Sequence, residues 1–291
     1  MAKPFLFIVN PKSGDHSGRK LPELIRFIEE KMRDLGQVPQ TIITESRGHA
    51  TEIAATALKS NRWNAIVAAG GDGTVNEVAR ALVHSDTPLG ILPLGSGNGL
   101  ARHLHISMNT GAALKRLVEG TPVRIDSARI NDTPFFCTCG IGFDAAVSHR
   151  FASSAGRGLK NYIRYALEVY KEYRPIPVNL DQEIRQVFLL TFANAGQFGN
   201  NAWIAPRASI NDGLLDLCLV PPFPEWYSMV FGARLFAKNL DQSQYISYRK
   251  LRKITVGIDA PVLAHFDGEP LTINSSEIHV ECIPGSLNVI C

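Results

Sequence analysis

Gly70-Gly71-Asp72-Gly73-Thr74-Val75-Asn76 is the stretch that decides the fold. An apolar run, Ala65–Ala69, precedes it, and Val75, Val78, Ala79 and Leu82 follow at helical spacing. A glycine-dense turn between a strand and a helix exposes backbone N–H groups and the positive helix end, which together suit phosphate. Asp72 cannot serve to attract an anion. A carboxylate beside phosphates implies a metal ion, or a proton, held between them.

Working outward, strands and helices alternate. Phe5–Val9 reads as a strand. Leu21–Met32 reads as a helix with Leu21, Leu24, Ile25, Ile28 and Met32 on one stripe. A β-rich Thr41–Thr44, a helix over Ala50–Leu58, strand 65–69, helix 74–83, strand 89–92 and helical segments near 98–104 and 110–119 follow. This predicts an α/β domain with a parallel sheet covered on both faces and ligands at the strands' carboxyl ends. From about residue 123 the pattern becomes short β-rich runs: 123–130, 135–140, 186–193, 214–220, 254–258, 262–266, 278–283 and 287–290. Helices over 159–170 and 226–238 interrupt them, so the second half reads as an all-β sandwich. The predicted division is 1–126 and 127–291, near Asp126–Ser127, with the last strand able to return to the first domain.

Of 291 residues, 45% are hydrophobic and 20% charged, enough for a sizeable core. A formal charge of +3 is too small to argue for nucleic acid, but it allows a local basic face to meet an anionic membrane. The five cysteines are scattered and read as thiols in a reducing cytoplasm. The first apolar run is short and stops at Asn10-Pro11, unlike a signal peptide. No apolar stretch approaches the roughly 20 residues of a transmembrane helix, so lipid contact is expected to be peripheral. A homodimer is compatible with the sequence.

Two further turns follow strands. Asn10-Pro11-Lys12-Ser13-Gly14 offers side-chain hydrogen bonds, with Lys12 and Arg19 placed to face phosphate; Pro93-Leu94-Gly95-Ser96-Gly97-Asn98-Gly99 is the other. Each alone reads as punctuation. Three at one sheet edge read as a nucleotide crevice. None carries the Gly-Lys-Ser/Thr of a P-loop, and no Gly-x-Gly-x-x-Gly fingerprint follows the first strand. Asp267-Gly268-Glu269 is either a strand-end turn presenting two carboxylates or a hairpin turn with solvent-facing acids. Asp144 either lines an acceptor pocket or caps a helix starting near Ala145. Arg157, Lys160, Arg164 and Lys171 surround the 159–170 stripe as a membrane guide or an ordinary solvated face, and Tyr248–Lys253 reads as a solvated charge run.

The three turns, with Gly140-Ile141-Gly142-Phe143-Asp144, Asn211–Asp216 and Asp267-Gly268-Glu269, resemble the motifs of the diacylglycerol kinase catalytic-domain family. That family includes bacterial soluble lipid kinases and the sphingosine and ceramide kinases. The resemblance covers nearly the whole chain and implies an ATP- and Mg2+-dependent lipid kinase with its active site in the inter-domain cleft. Residues 10–14 and 70–76 would hold ATP, with Thr44, Ser96, Gly97 and Asn98 as further contacts. Asp72 and Asp126 would share a magnesium-linked network, and Asp267 or Glu269 would accept the hydroxyl proton. Asp212 and the backbone oxygens of Ser209 and Leu214 would bind a structural magnesium. Many bacterial relatives carry an aspartate where this chain has Gly99, and its Gly-Ser-Gly-Asn is closer to the sphingoid kinase loop. The acceptor, diacylglycerol-like or sphingoid, stays open. The rival readings are an NAD kinase-like enzyme, although no Gly-Ser-Thr-Ala-Tyr-like segment is present, and a non-catalytic nucleotide-dependent lipid-binding protein.

Overall fold

The computed structural model describes residues 3–14, 20–154 and 158–291; Arg19 and Arg157 lie outside them. Contacts divide the chain into two units, Met1–Ile125 with Gly285–Cys291, and Asp126–Pro284.

In the first unit, β1 (Phe5–Val9), β2 (Pro39–Ile43), β3 (Ala65–Gly70) and β4 (Leu89–Pro93) pair in the order β2-β1-β3-β4, all parallel. β1, β3 and β4 are buried along their whole length, as unbroken apolar strands in a covered parallel sheet should be. The helices are α1 (Lys20–Asp34), α2 (His49–Leu58), α3 (Asp72–Leu82), α4 (Gly99–His103) and α5 (Thr110–Glu119). α1 buries Leu24, Ile28 and Met32, while Asn109 caps α5 by accepting the N–H of Ala112 at 3.0 Å. β2 stops one residue short of the predicted strand, yet Thr44 still donates its N–H to Val9 at 2.9 Å.

β5 (Pro122–Ile130) leads into the second unit. There β6 (Thr133–Phe135), β7 (Thr138–Gly142), α6 (Phe143–Ala152), α7 (Leu159–Glu172), β8 (Ile176–Leu180), β9 (Glu183–Val187), β10 (Leu189–Ala193) and β11 (Leu215–Val220) follow in turn. α8 (Tyr227–Phe236), β12 (Ser247–Leu251), β13 (Lys253–Ile258), β14 (Val262–Phe266), β15 (Glu269–Ile273) and β16 (Glu277–Ile290) complete the chain. One antiparallel sheet has the order β12-β11-β10-β7-β14-β15. Against it packs a layer in which β16, β13, β8 and β9 are neighbours, with Phe135, Ile141, Leu190, Phe192, Leu217, Val256 and Val280 in the shared core. The fold class read from the sequence, an α/β domain followed by a β-sandwich, is the one observed.

Four predicted runs divide or fuse. Runs 135–140 and 186–193 are each interrupted where the chain leaves one sheet for the other, at Phe136-Cys137 and at Phe188. Phe188 turns onto the outer face of the six-stranded sheet and stacks on Phe143 at 4.7 Å. Conversely, 278–283 and 287–290 are one strand, because Gly285, at φ +55°, lets it bend where Pro284 reads as a stop. Residues 277–281 of β16 pair with β13, whereas Val289 pairs with Leu89 of β4. The charge run 248–253 belongs to the edge strand β12 and the start of β13.

Candidate active site

The three glycine-rich turns of the first unit are hydrogen-bonded to one another at the carboxyl ends of β1, β3 and β4. Asn10 donates through Nδ2 to Thr74 Oγ1 at 3.0 Å and accepts the N–H of Lys12 at 2.9 Å. Ser13 Oγ accepts the Gly71 N–H at 3.3 Å, and Leu94 donates its N–H to the Gly70 carbonyl at 2.9 Å. Asp72 takes the N–H of Asn98 on Oδ2 at 2.8 Å and that of Gly99 on Oδ1 at 2.6 Å.

Glycine is required here by contact. A Cβ on Gly95 would lie 2.5 Å from Gly71 Cα, and one on Gly97 would lie 2.5 Å from Asp72 Oδ2. Asn98, left-handed at φ +53°, uses its side chain to accept the Gly95 N–H and to donate to the Gly95 carbonyl. Lys12, Gly14 and Ser96 are exposed around the cluster, while Thr74, Val75, Asn76, Asn98 and Thr44 are buried in it or beside it. Pro11 and Gly73 are half-buried.

Two groups that the sequence reading left out hold this arrangement. Glu77 accepts the N–H groups of Gly48 (2.8 Å) and Ala50 (3.2 Å), capping α2 from α3. Arg102 donates to the Gly97 carbonyl at 2.9 Å. The signal for Glu77 was its place in the glycine motif, but its partner lies far away in sequence.

In the second unit Asp267 and Gly268 form the two-residue turn between β14 and β15, both at positive φ (+47° and +81°), with Phe266 opposite Glu269. The hairpin reading is therefore the observed conformation, but Asp267 does not face solvent as that reading held. Its Oδ1 accepts from Cys137 (2.7 Å), Thr138 (3.2 Å) and Phe136 (3.2 Å), and Oδ2 accepts from Phe136 at 2.9 Å. These amides belong to the corner between β6 and β7, so a carboxylate satisfies N–H groups that the ladder has given up. Asn194 ties the same corner, donating through Nδ2 to the carbonyls of Asp126 and Phe136, both at 2.9 Å.

The loop expected to bind a structural magnesium through Asp212 and the backbone oxygens of Ser209 and Leu214 carries a set of hydrogen bonds. Asp212 Oδ2 receives the ammonium of Lys250 at 2.6 Å, and Asp216 receives it at 3.3 Å. Ser209 Oγ donates to Asn211 at 3.0 Å, and Asp126 takes the Gly213 N–H at 2.7 Å. A lysine thus supplies positive charge beside Asp212 and Asp216. Burial pulls the Lys250 ammonium down, but hydrogen bonding to Asp212 and the charges of both acids leave it raised. Burial also pushes the Asp216 carboxyl up, beyond what Lys250 pulls back. Among the described residues no group of three or more His, Cys, Asp or Glu side chains could hold a metal. Asp72 still fits Mg2+ in another sense, because each carboxylate oxygen has a second lone pair and Mg2+ commonly takes one or two carboxylates plus phosphates.

Asp144 is buried. Its Oδ1 accepts the Ala145 N–H at 2.9 Å near the start of α6, and its Oδ2 accepts from Thr191 (2.6 Å) and His265 Nε2 (3.0 Å). α6 starts at Phe143, two residues before the expected Ala145, so its N-cap is Gly142 and Asp144 lies within the first turn.

Residues 4–130 match the diacylglycerol kinase catalytic domain, and residues 137–291 match the YegS C-terminal NAD kinase beta sandwich-like domain. A protein of Klebsiella pneumoniae named Probable lipid kinase YegS-like is 34% identical over 221 residues, covering 73% of this chain and 72% of that one. The Salmonella arizonae Probable lipid kinase YegS is 28% identical, with 97% and 94% covered. The chain spans about half (54%) of a Synechocystis relative that is 30% identical over 239 residues. A crystal structure described as a diacylglycerol kinase from Bacillus anthracis superposes with a TM-score of 0.73 at 20% identity, covering 99% of this chain and 96% of that one. The chain belongs to the YegS-like, diacylglycerol kinase-like family of lipid kinases.

Proposed function

We propose that this lipid kinase transfers the γ-phosphoryl group of ATP to the hydroxyl of an acceptor with long apolar chains, diacylglycerol-like or sphingoid, drawn from a membrane surface in the cytoplasm. The observation that carries the reading is the hydrogen-bonded meeting of Asn10–Gly14, Gly70–Asn76 and Pro93–Gly99. In the transfer, the acceptor oxygen bonds to γ-phosphorus, the bond from phosphorus to the bridging oxygen breaks, ADP leaves, and the hydroxyl proton passes to a carboxylate.

The first unit would supply alignment and charge compensation, which dominate phosphoryl transfer. Backbone N–H groups at the start of α3, the Ser13 and Thr74 hydroxyls and the Lys12 ammonium are the groups suited to the triphosphate. Thr74 Oγ1 accepts from Asn10 and keeps its own proton to donate. Mg2+ beside Asp72 would neutralise phosphate charge. Asp267 is the proposed proton acceptor. Backbone amides fix its orientation, and the reaction asks for placement more than basic strength.

The test is incubation with labelled ATP and a total lipid extract, with NAD as a parallel acceptor because the second domain is named for NAD kinase. A phosphorylated lipid is the expected product. Labelled NADP without labelled lipid would replace this reading with the dinucleotide one, and no product from any acceptor would favour a non-catalytic role.

A further inference from the structure

α8 is apolar on nearly every side, yet only half of it is covered. Tyr227 and Phe231 are buried with Phe188, Leu189, Ile204 and Val220, and Tyr227 is pinned by a 2.6 Å hydrogen bond to Ser243. The opposite side exposes Trp226 (68%), Met229 (81%), Val230 (39%) and Phe236 (40%). Helices apolar all round are ordinarily enclosed. α7 adds Ile163 and Leu167, exposed one turn apart, with exposed Lys160 and Lys171 beside them. Arg164 and Arg150 share the single carboxylate of Glu168 at 3.6 and 3.1 Å, so one positive charge is left over there, and Lys160 and Lys171 add to it beside the exposed Glu172. An aromatic layer joins the helices: Tyr170 to Phe188 (6.1 Å), Phe188 to Phe223 (4.8 Å) and Phe223 to Phe231 (5.4 Å).

We infer that the exposed stripe of α8 inserts into a lipid bilayer, with Lys160 and Lys171 of α7 meeting anionic headgroups. This deepens the lipid-kinase reading and rests on it for the claim that the acceptor is presented in a membrane. Two observations choose the bilayer over a second copy of the chain. A ten-residue helix is about 15 Å long and offers roughly 150 Å² on one side, far below the ~800 Å² per partner of a stable interface. An aromatic and Met stripe with lysines nearby is also the chemistry of an interfacial helix on an anionic surface. No helix of the described residues is long and apolar enough to cross a membrane, so the contact is a shallow insertion.

The experiment sediments the full chain, without ATP, on vesicles of phosphatidylcholine containing phosphatidylglycerol and on phosphatidylcholine alone. Wild-type protein is expected to bind the mixed vesicles with a blue shift of tryptophan emission. The exposed double variant Trp226→Ser/Met229→Ser should bind at least about tenfold more weakly, while phosphorylating a short-chain, water-dissolved acceptor at the wild-type rate. Lys160→Gln/Lys171→Gln should remove the preference for the anionic vesicles. Equal sedimentation of wild type and double variant overturns the inference, as does a dimer by light scattering that the double variant dissolves. Vesicle binding that depends on Trp226, with no lipid phosphorylated by either protein, supports the docking surface and overturns the kinase reading.

Discussion

Asp72 accepts the backbone N–H of Gly99 at 2.6 Å, so an acid at the start of α3 closes the first turn of α4. With the Asn98 N–H on its other oxygen, the carboxylate serves as the clasp between two glycine-rich turns. Both donors are main-chain N–H groups, so the clasp asks for no particular side chain at position 99. Where the family resemblance calls for a second acid, the chain offers a bare amide to the first one.

Asp72→Asn tests the clasp. The amide keeps one acceptor oxygen, loses the charge, and turns donor hydrogens toward Asn98 or Gly99. Turnover should fall about 10²–10³-fold with native circular dichroism retained. Near wild-type turnover would remove Asp72 from both clasp and chemistry.

Gly95→Ala tests how closely the turns must approach. The added methyl would meet Gly71 Cα at 2.5 Å, where main chain cannot swing aside as a side-chain tip can. Stability should drop by about 1–3 kcal/mol and KM for ATP should rise. Gly232→Ala, in α8 with nothing within 4 Å, should instead stabilise by about 0.5–1 kcal/mol. Denaturant titration of both proteins, with ATP saturation curves for Gly95→Ala, checks the contrast.

Asp267→Asn should cost about 10²–10⁴-fold in kcat with little change in KM for ATP, and about 1–3 kcal/mol in stability because donors would face the corner amides. Glu269→Gln should retain most of its stability and more of its rate. The reverse ranking in single-turnover kinetics would move the proton acceptor to Glu269.

Lys250→Met leaves Asp212 and Asp216 facing each other without their cation. Because the lysine side chain is 42% exposed, the loss is discounted for solvent to about 1–2 kcal/mol. The ammonium is raised in the folded state, so its stabilisation is complete below its ordinary value of 10.5 and disappears as pH climbs through the higher folded value. The gap between wild type and variant should therefore hold through neutral pH and close in that alkaline window. EDTA should leave the wild-type melting temperature unchanged. A chelator-induced drop would instead support a metal in the 209–214 loop.

Strand–helix alternation made the first unit legible because each element there has one dominant period and glycine turns mark its ends. The second unit was harder. Phe136 and Phe188 sit where the chain changes sheets, and an apolar residue at such a corner looks the same in sequence as one in mid-strand. Lys250 was unreadable for a related reason. A lysine in a basic run reads as solvated until its partners, Asp212 and Asp216, are brought near by the pairing of β11 with β12. The resemblance supplied Asp267, but its engagement by three amides needed the corner to be visible.

Val289 lies beside Leu89 in β4, and residues 285–291 belong with 1–125. During synthesis, then, the first unit cannot complete its sheet until residues 285–291 have been made, well after the intervening 126–284. A nascent chain stalled at Pro284 would present β4 as an open edge, so the maturation of the first unit waits on residues 285–291.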